Sequence, residues 1–250
     1  MTTRLSPAQI AQYDADGYTL FKQPVFSAEK FAALHAIFEE DLAKYTEEEL
    51  NMLHVRDERL MPFLLAPEVL DLVEPLTGPN IGLWASHLIS KPPFTGKATP
   101  WHEDSAYWNG RVSTMAGICT VWLAIDRATP ENGSMAVIPG SQRGGFSEYD
   151  AVDAGANIFP SEVKAGTFDE SSAVFFSLEP NECSLHEGRI IHGAHANTSP
   201  HRRAGFTMRY FPLTSEVFAD NPRNAGHQIY LARGADQTGR NRFVNVNGGK

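Results

Sequence analysis

Apolar positions recur at helical spacing through the first third of the chain. Phe31, Leu34, Ile37, Phe38 and Leu42 follow one helix face, with Glu39, Glu40 and Asp41 between them. Ser27 stands before that run as an N-cap, which predicts a helix from Ala28 to about Tyr45. Ser6-Pro7 predicts an earlier helix running to about Asp16, with Gly17 as its stop. Pro67 to about Leu76 reads as a further short helix, closed by Gly78-Pro79. Glu47, Glu48 and Glu49 form a small acidic run that reads as a solvated helix start.

The pattern changes after Pro79. Ile81 to Ser90 is strand-like and ends in the turn Lys91-Pro92-Pro93-Phe94-Thr95-Gly96. Gly117 to Ile125 is strongly apolar, and Gly133 to Ile138 lies between two Gly/Pro/Asn-rich turns. Ala173 to Leu178, Cys183 to Leu185 and Gly205 to Phe211 follow. Short strands with this punctuation predict an antiparallel sandwich or barrel. The expected fold is α+β, mainly β: N-terminal helices packed on a double-sheet jelly roll. One domain is expected, with a helical part at about 1–78, a jelly-roll core at about 79–215 and a C-terminal tail at about 216–250, whose end from Thr238 reads as polar and loosely held.

Charge narrows the function classes. The net charge of -9 argues against a nucleic-acid or anionic-membrane surface. No apolar run is long enough to cross a bilayer, and Met1-Thr2-Thr3-Arg4-Leu5-Ser6 has no apolar leader core. Cys119 and Cys183 lack CxxC spacing and read as reduced core positions. A cytoplasmic location is expected.

The candidate chemistry begins at Trp101-His102-Glu103-Asp104. On an extended segment, His102 and Asp104 point to one side, so an imidazole and a carboxylate can share a metal ion. A third ligand must come from the other histidines. His35, His54 and His227 read as structural or surface residues, whereas His186, His192, His195 and His201 form a dense cluster. Two histidines and one carboxylate on one face of an octahedron is the arrangement of non-heme Fe(II) oxygenases. H-x-D alone arises often by chance. Arg203, eleven residues past His192, strengthens it. An arginine there can fork onto the far carboxylate of a diacid whose other end grips the metal, as 2-oxoglutarate requires.

These residues carry a resemblance to a known family. Ser90-Lys91-Pro92-Pro93, Trp101-His102-Glu103-Asp104-Ser105-Ala106-Tyr107-Trp108, Val121-Trp122-Leu123-Ala124, Glu131-Asn132-Gly133-Ser134, Ile138-Pro139-Gly140-Ser141 and His192-Gly193-Ala194 through Arg202-Arg203 occur in order. The chain resembles the phytanoyl-CoA dioxygenase family of Fe(II)- and 2-oxoglutarate-dependent oxygenases over about Ile81 to Phe211. The resemblance implies a double-stranded β-helix core, cupin-like, after N-terminal helices. It implies His102, Asp104 and His192 as iron ligands, and Arg203 as anchor of the 2-oxoglutarate tail. It places Trp122 against the cofactor, with His87 and Lys91 on one face of a neighbouring strand as further cofactor contacts. Tyr107, Trp108 and His186 are the expected substrate contacts.

The implied activity is hydroxylation of an unactivated C–H bond of a small molecule, using O₂ and releasing succinate and CO₂, with ascorbate as reductant in assays. Related halogenases carry a small residue where Asp104 stands, so the carboxylate favours hydroxylation or another oxidation such as desaturation. Ala194 and Gln142 depart from the family, which often has serine and histidine there. The main alternative is a cupin-like metalloprotein, an isomerase or metal-dependent binding module, that uses no 2-oxoglutarate. For an acyl-CoA substrate, Arg202, Arg209, Arg223 and Arg233 are the cations that could meet phosphates, but they form no cluster in the sequence. His201 and Arg202 either meet an anionic substrate or face solvent. Substrate identity and oligomeric state are not legible.

Overall fold

A computed structural model describes residues 4–153 and 155–245. The first three residues and the last five of the expected tail lie outside the described residues. Helix α1 (Pro7–Asp16) starts with a capping box between Ser6 and Gln9 and stops at Gly17, whose φ of 81° places it in the left-handed region. Ser27 caps α2 (Ala28–Lys44), and α3 (Met61–Leu64) and α4 (Pro67–Thr77) follow. The acidic run at Glu47 to Glu49 begins no helix: Glu49 instead accepts from the Thr46 amide and hydroxyl at 3.0 Å in a turn.

The N-terminal part is not wholly helical. β1 (Tyr18–Phe21) pairs with β9 (Cys183–Glu187) at the edge of a large sheet. That sheet has the order β1-β9-β4-β11-β2-β12, with β2 (Ile81–Lys91), β4 (Cys119–Ala124), β11 (Arg203–Pro212) and β12 (Tyr230–Arg233). The smaller sheet has the order β3-β10-β5-β8, from β3 (Thr99–His102), β5 (Met135–Val137), β8 (Val174–Phe175) and β10 (His192–Ala194). β6 (Tyr149–Ala151) and β7 (Ser161–Val163) form a separate hairpin, and α5 (Asp104–Trp108) follows β3 directly. The strand pairs within all three sheets are antiparallel. Two such sheets make the jelly roll, with helices packed against the larger one.

Alternation along the strands divides the side chains between two environments. Ala204, Phe206, Met208 and Tyr210 of β11 join Val121, Leu123, Cys183 and Leu185 in the core beneath the helices. Tyr210 reaches through it to donate to the Leu64 carbonyl at 2.7 Å. The intervening residues, Arg203, Gly205, Thr207 and Arg209, line the opposite face of the strand with Thr120 and Trp122 of β4 and Ser184 and His186 of β9. Cys119 and Cys183 are buried and unpaired.

The tail is held more firmly than its polarity predicts. β12 adds to β2, and Phe243 bridges Ile229. Asn241 donates to Ser215 and Asp236, so side-chain hydrogen bonds substitute for the missing apolar pattern. Among the described residues, no helix is long and apolar enough to cross a membrane.

Gly205 permits the close packing of β4 on β11. A Cβ there would lie 2.2 Å from Trp122 Cζ2. Gly205→Ala is expected to displace the indole and destabilise the fold by about 1–3 kcal/mol. A urea denaturation midpoint measures this; an unchanged midpoint would show that Trp122 moves freely.

Candidate metal centre

Backbone pairing brings the first two side chains together. His102 ends β3 and lies directly opposite His192 of β10. Their ring centroids are 4.1 Å apart. Glu103 remains extended at φ −114°, ψ 133°, and Asp104 is the first residue of α5. The two ligand candidates therefore flank one extended residue at a strand-to-helix junction rather than sharing a strand. One ligand atom each from His102, Asp104 and His192 lies within 4.8 Å of the others, and all three residues are buried.

The tautomers suit metal binding. His102 Nδ1 donates to the Pro100 carbonyl at 2.8 Å, and His192 Nδ1 to the Ile190 carbonyl at 2.9 Å. Each leaves an Nε2 lone pair available. Burial lowers the pKa of His102 to about 3 and of His192 to about 4, so both rings are neutral near pH 7. Burial alone would raise Asp104, but Arg209 and the neighbouring histidines hold it well below the usual carboxylate range. Asp104 Oδ2 accepts from Thr120 Oγ1 and Arg209 Nε, both at 3.1 Å. Oδ1 receives only a longer contact of 3.4 Å from Arg209 Nη2, so it is the less committed oxygen.

A second polar group lies where β2 meets β11. Lys91 and Arg203 are direct partners in that ladder, and each is 3% exposed. Lys91 Nζ donates to the carbonyls of Ala194 (3.2 Å) and His195 (2.6 Å), and Arg203 Nε to that of Gly133 (3.0 Å). The Arg203 guanidinium lies 5.4 Å from the Trp122 ring centroid. Among the described residues neither cation makes a salt bridge. Burial, and then Arg203, pushes Lys91 down to about 6; burial lowers Arg203 to about 10. A buried arginine beside a buried amine that gains its proton when an anion arrives, with no carboxylate paired to either among the described residues, fits an anionic ligand.

The remaining expected residues fall in different places. Trp122 belongs with Arg203. His87 pairs with Thr207, and the charges of Arg209 and Asp104 both act on it, so it stands toward the metal end. Tyr107 is 40% exposed, with its ring 6.2 Å from His102 and 5.7 Å from Phe159. Trp108 is buried, with its ring edge-on to Trp84 and 5.9 Å from the Arg209 Cζ. His186 is 1% exposed, 4.9 Å from the His192 ring, and neither of its ring nitrogens has a partner. His195 and His201 are exposed and do not belong to the trio.

The other basic residues are engaged by the chain itself. Arg202 joins Glu39 to Asp126, so it neither faces solvent freely nor serves the metal site. Arg233 meets Asp71 and Glu74, while Arg223 donates to the carbonyls of Tyr107 and Asn109 and caps α5. Among the described residues these three arginines form no shared basic groove. Arg209, Thr120 and Phe159 were not identified as site residues from the sequence. Arg209 had a legible signal, since it lies an even number of residues past Arg203 on one strand.

A jelly roll with a two-histidine, one-carboxylate set defines the class of non-heme metal oxygenases. The family model for phytanoyl-CoA dioxygenase (PhyH) matches residues 5–205. The chain belongs to that family. It is 31% identical over 160 residues to the peroxisomal phytanoyl-CoA dioxygenase of Bos taurus, covering 62% of this chain and 46% of that protein. The chain thus spans about half the length of that relative. L-proline trans-4-hydroxylase of Streptomyces griseoviridis is 28% identical over 184 residues, covering 66% of this chain and 68% of the enzyme. Among solved structures, the non-heme alpha ketoglutarate dependent carbocyclase SnoK from nogalamycin biosynthesis superposes with a TM-score of 0.73 at 20% identity. The match covers 97% of this chain and 95% of SnoK, and it supports the fold alone.

Thr120→Val removes one donor from Asp104 Oδ2 while keeping the side-chain volume. Co(II) affinity, measured by titration, is expected to fall about tenfold. Unchanged affinity would mean that Arg209 orients the carboxylate unaided.

Proposed function

We propose that the chain is an Fe(II)- and 2-oxoglutarate-dependent dioxygenase that hydroxylates an unactivated C–H bond of a small molecule. The observation that carries this reading is the buried Lys91–Arg203 pair without a carboxylate partner. Lys91 reaches the carbonyl of Ala194, two residues along β10 from His192, so the cationic end and the ligand set belong to one interior. A cupin-like metalloprotein without a dicarboxylate would bury that pair with backbone carbonyls as its acceptors and no anion.

In this reading His102, Asp104 and His192 hold the iron. Arg203 and Lys91 bind the far carboxylate of 2-oxoglutarate, and Trp122 packs beside it. With both bound, the centre supplies oxidative decarboxylation of 2-oxoglutarate to succinate and CO₂, coupled to oxidation of the substrate by O₂. The chain contributes neutral imidazoles, an oriented carboxylate and a dry interior. Asp104 occupies the position that a halide would need, which favours hydroxylation over halogenation. Tyr107 and His186 are placed to meet the substrate. The unpaired Cys119 and Cys183 support a reducing, cytoplasmic setting.

The direct test is succinate formation with Fe(II), ascorbate and pools of candidate substrates. Asp104→Ala is expected to abolish it. Arg203→Ala is expected to raise the 2-oxoglutarate KM by about ten- to a hundredfold with metal binding retained. A chain that binds neither Fe(II) nor 2-oxoglutarate, and forms no succinate, is not a dioxygenase.

Lys91 gives a pH signature. Its folded pKa lies far below that of an unfolded lysine, so the unfolded chain binds the extra proton between the two values. Stability of the free protein therefore rises with pH through that window. A bound carboxylate raises the Lys91 pKa, so 2-oxoglutarate binding near pH 8 is expected to take up close to one proton. Calorimetry in buffers of different ionisation enthalpy measures the uptake; none would place the carboxylate away from Lys91.

A further inference from the structure

We propose that the substrate is an organic anion whose carboxylate-type head group binds Arg209 and His186 beside the metal. The inference rests on the dioxygenase reading above and names its substrate class.

The first argument is charge. A divalent metal is balanced by Asp104 and by the near carboxylate of 2-oxoglutarate, and Arg203 balances the far carboxylate. Arg209 is then left without a counter-ion of its own, because Asp104 also serves the metal. A protonated Lys91 only adds to the excess. The other buried carboxylates nearby are engaged elsewhere: Glu103 accepts from Ser147, and Glu187 pairs with Arg189. An unmatched buried cation costs several kcal/mol, on the order that a bound anion returns.

The second argument is geometry. The Arg209 side chain is 15% exposed, so it can be reached from outside. Among the described residues it makes three hydrogen bonds, two to Asp104 and one to Thr207. A guanidinium has five N–H groups, so two remain for a ligand. Its Cζ lies 5.9 Å from the centroid of the Trp108 ring, which packs beside it. His186 Nε2 lies 4.0 Å from Asp104 Oδ2, and both ring nitrogens are buried without a partner. Such a ring is poised to donate to a second oxygen of the same head group. Tyr107 and Phe159 flank His102 and provide aromatic contact for the body of the molecule.

The test uses the full chain loaded with Co(II) and 2-oxoglutarate. Acetate, as a stub of the head group, is titrated calorimetrically against its neutral isostere acetamide. Acetate is expected to bind saturably, and acetamide about tenfold more weakly or worse. Arg209→Met is expected to weaken acetate about tenfold and His186→Leu about threefold, each measured at Co(II) and 2-oxoglutarate concentrations that saturate that variant. If Arg209→Met does not fold, His186→Leu, which removes neither a metal ligand nor a counter-ion, decides alone. Equal binding of acetate and acetamide overturns the inference, as does acetate binding that neither variant weakens. A loaded protein that binds no acetate overturns it too and leaves the dioxygenase reading standing. A parent chain that binds neither Co(II) nor 2-oxoglutarate overturns both.

Discussion

Charge is concentrated where water is scarce, and that constraint organises the molecule. Arg203, Arg209, Lys91 and Asp104 are drawn into the jelly roll by strands whose alternate residues form an apolar core. Asp104 is held by Arg209 and Thr120, and that contact orients the carboxylate relative to both histidines. The same strand, β11, carries Arg203 at its start, so the wall that steadies the metal ligand also presents the cation for the far end of a diacid. A one-residue slip of β11 would turn these arginines into the apolar core and send Phe206 and Met208 inward.

Much of the architecture was legible in the sequence because its local signals were strong. The caps at Ser6 and Ser27, the stop at Gly17 and the long apolar strands all act over a few residues. The trio His102, Asp104 and His192 was legible through motif spacing and family resemblance, and the three side chains converge. β1 was not, because four residues after a helix carry too little periodicity; only pairing with β9 makes them a strand. The hold on Asn241 is not legible because it comes from a side-chain amide meeting a carbonyl and a carboxylate, which no hydropathy pattern reports.

The least legible parts of the site depend on tertiary contact. Phe159 comes from a loop between β6 and β7 and reaches His102 only in the fold. Trp108 follows the metal motif directly, and its contact with Trp84 forms only in the fold. Arg209 looked like one of several scattered cations. The partners of Arg202, Arg223 and Arg233 show why those three stay structural: each is occupied by carboxylates or by helix-terminal carbonyls.

The direct pairing of His102 with His192 also bears on how the chain folds. Those strands close a loop of about ninety residues, an expensive contact for a searching chain because loop-closure entropy must be lost before the pairing rewards it. The unfolded chain keeps the two rings far apart and offers no preformed chelate. A divalent ion bound across them therefore acts as a reversible staple between distant segments. The protein's resistance to unfolding would then track the logarithm of free metal concentration, gaining about 1.4 kcal/mol per tenfold increase once the ion exceeds its dissociation constant.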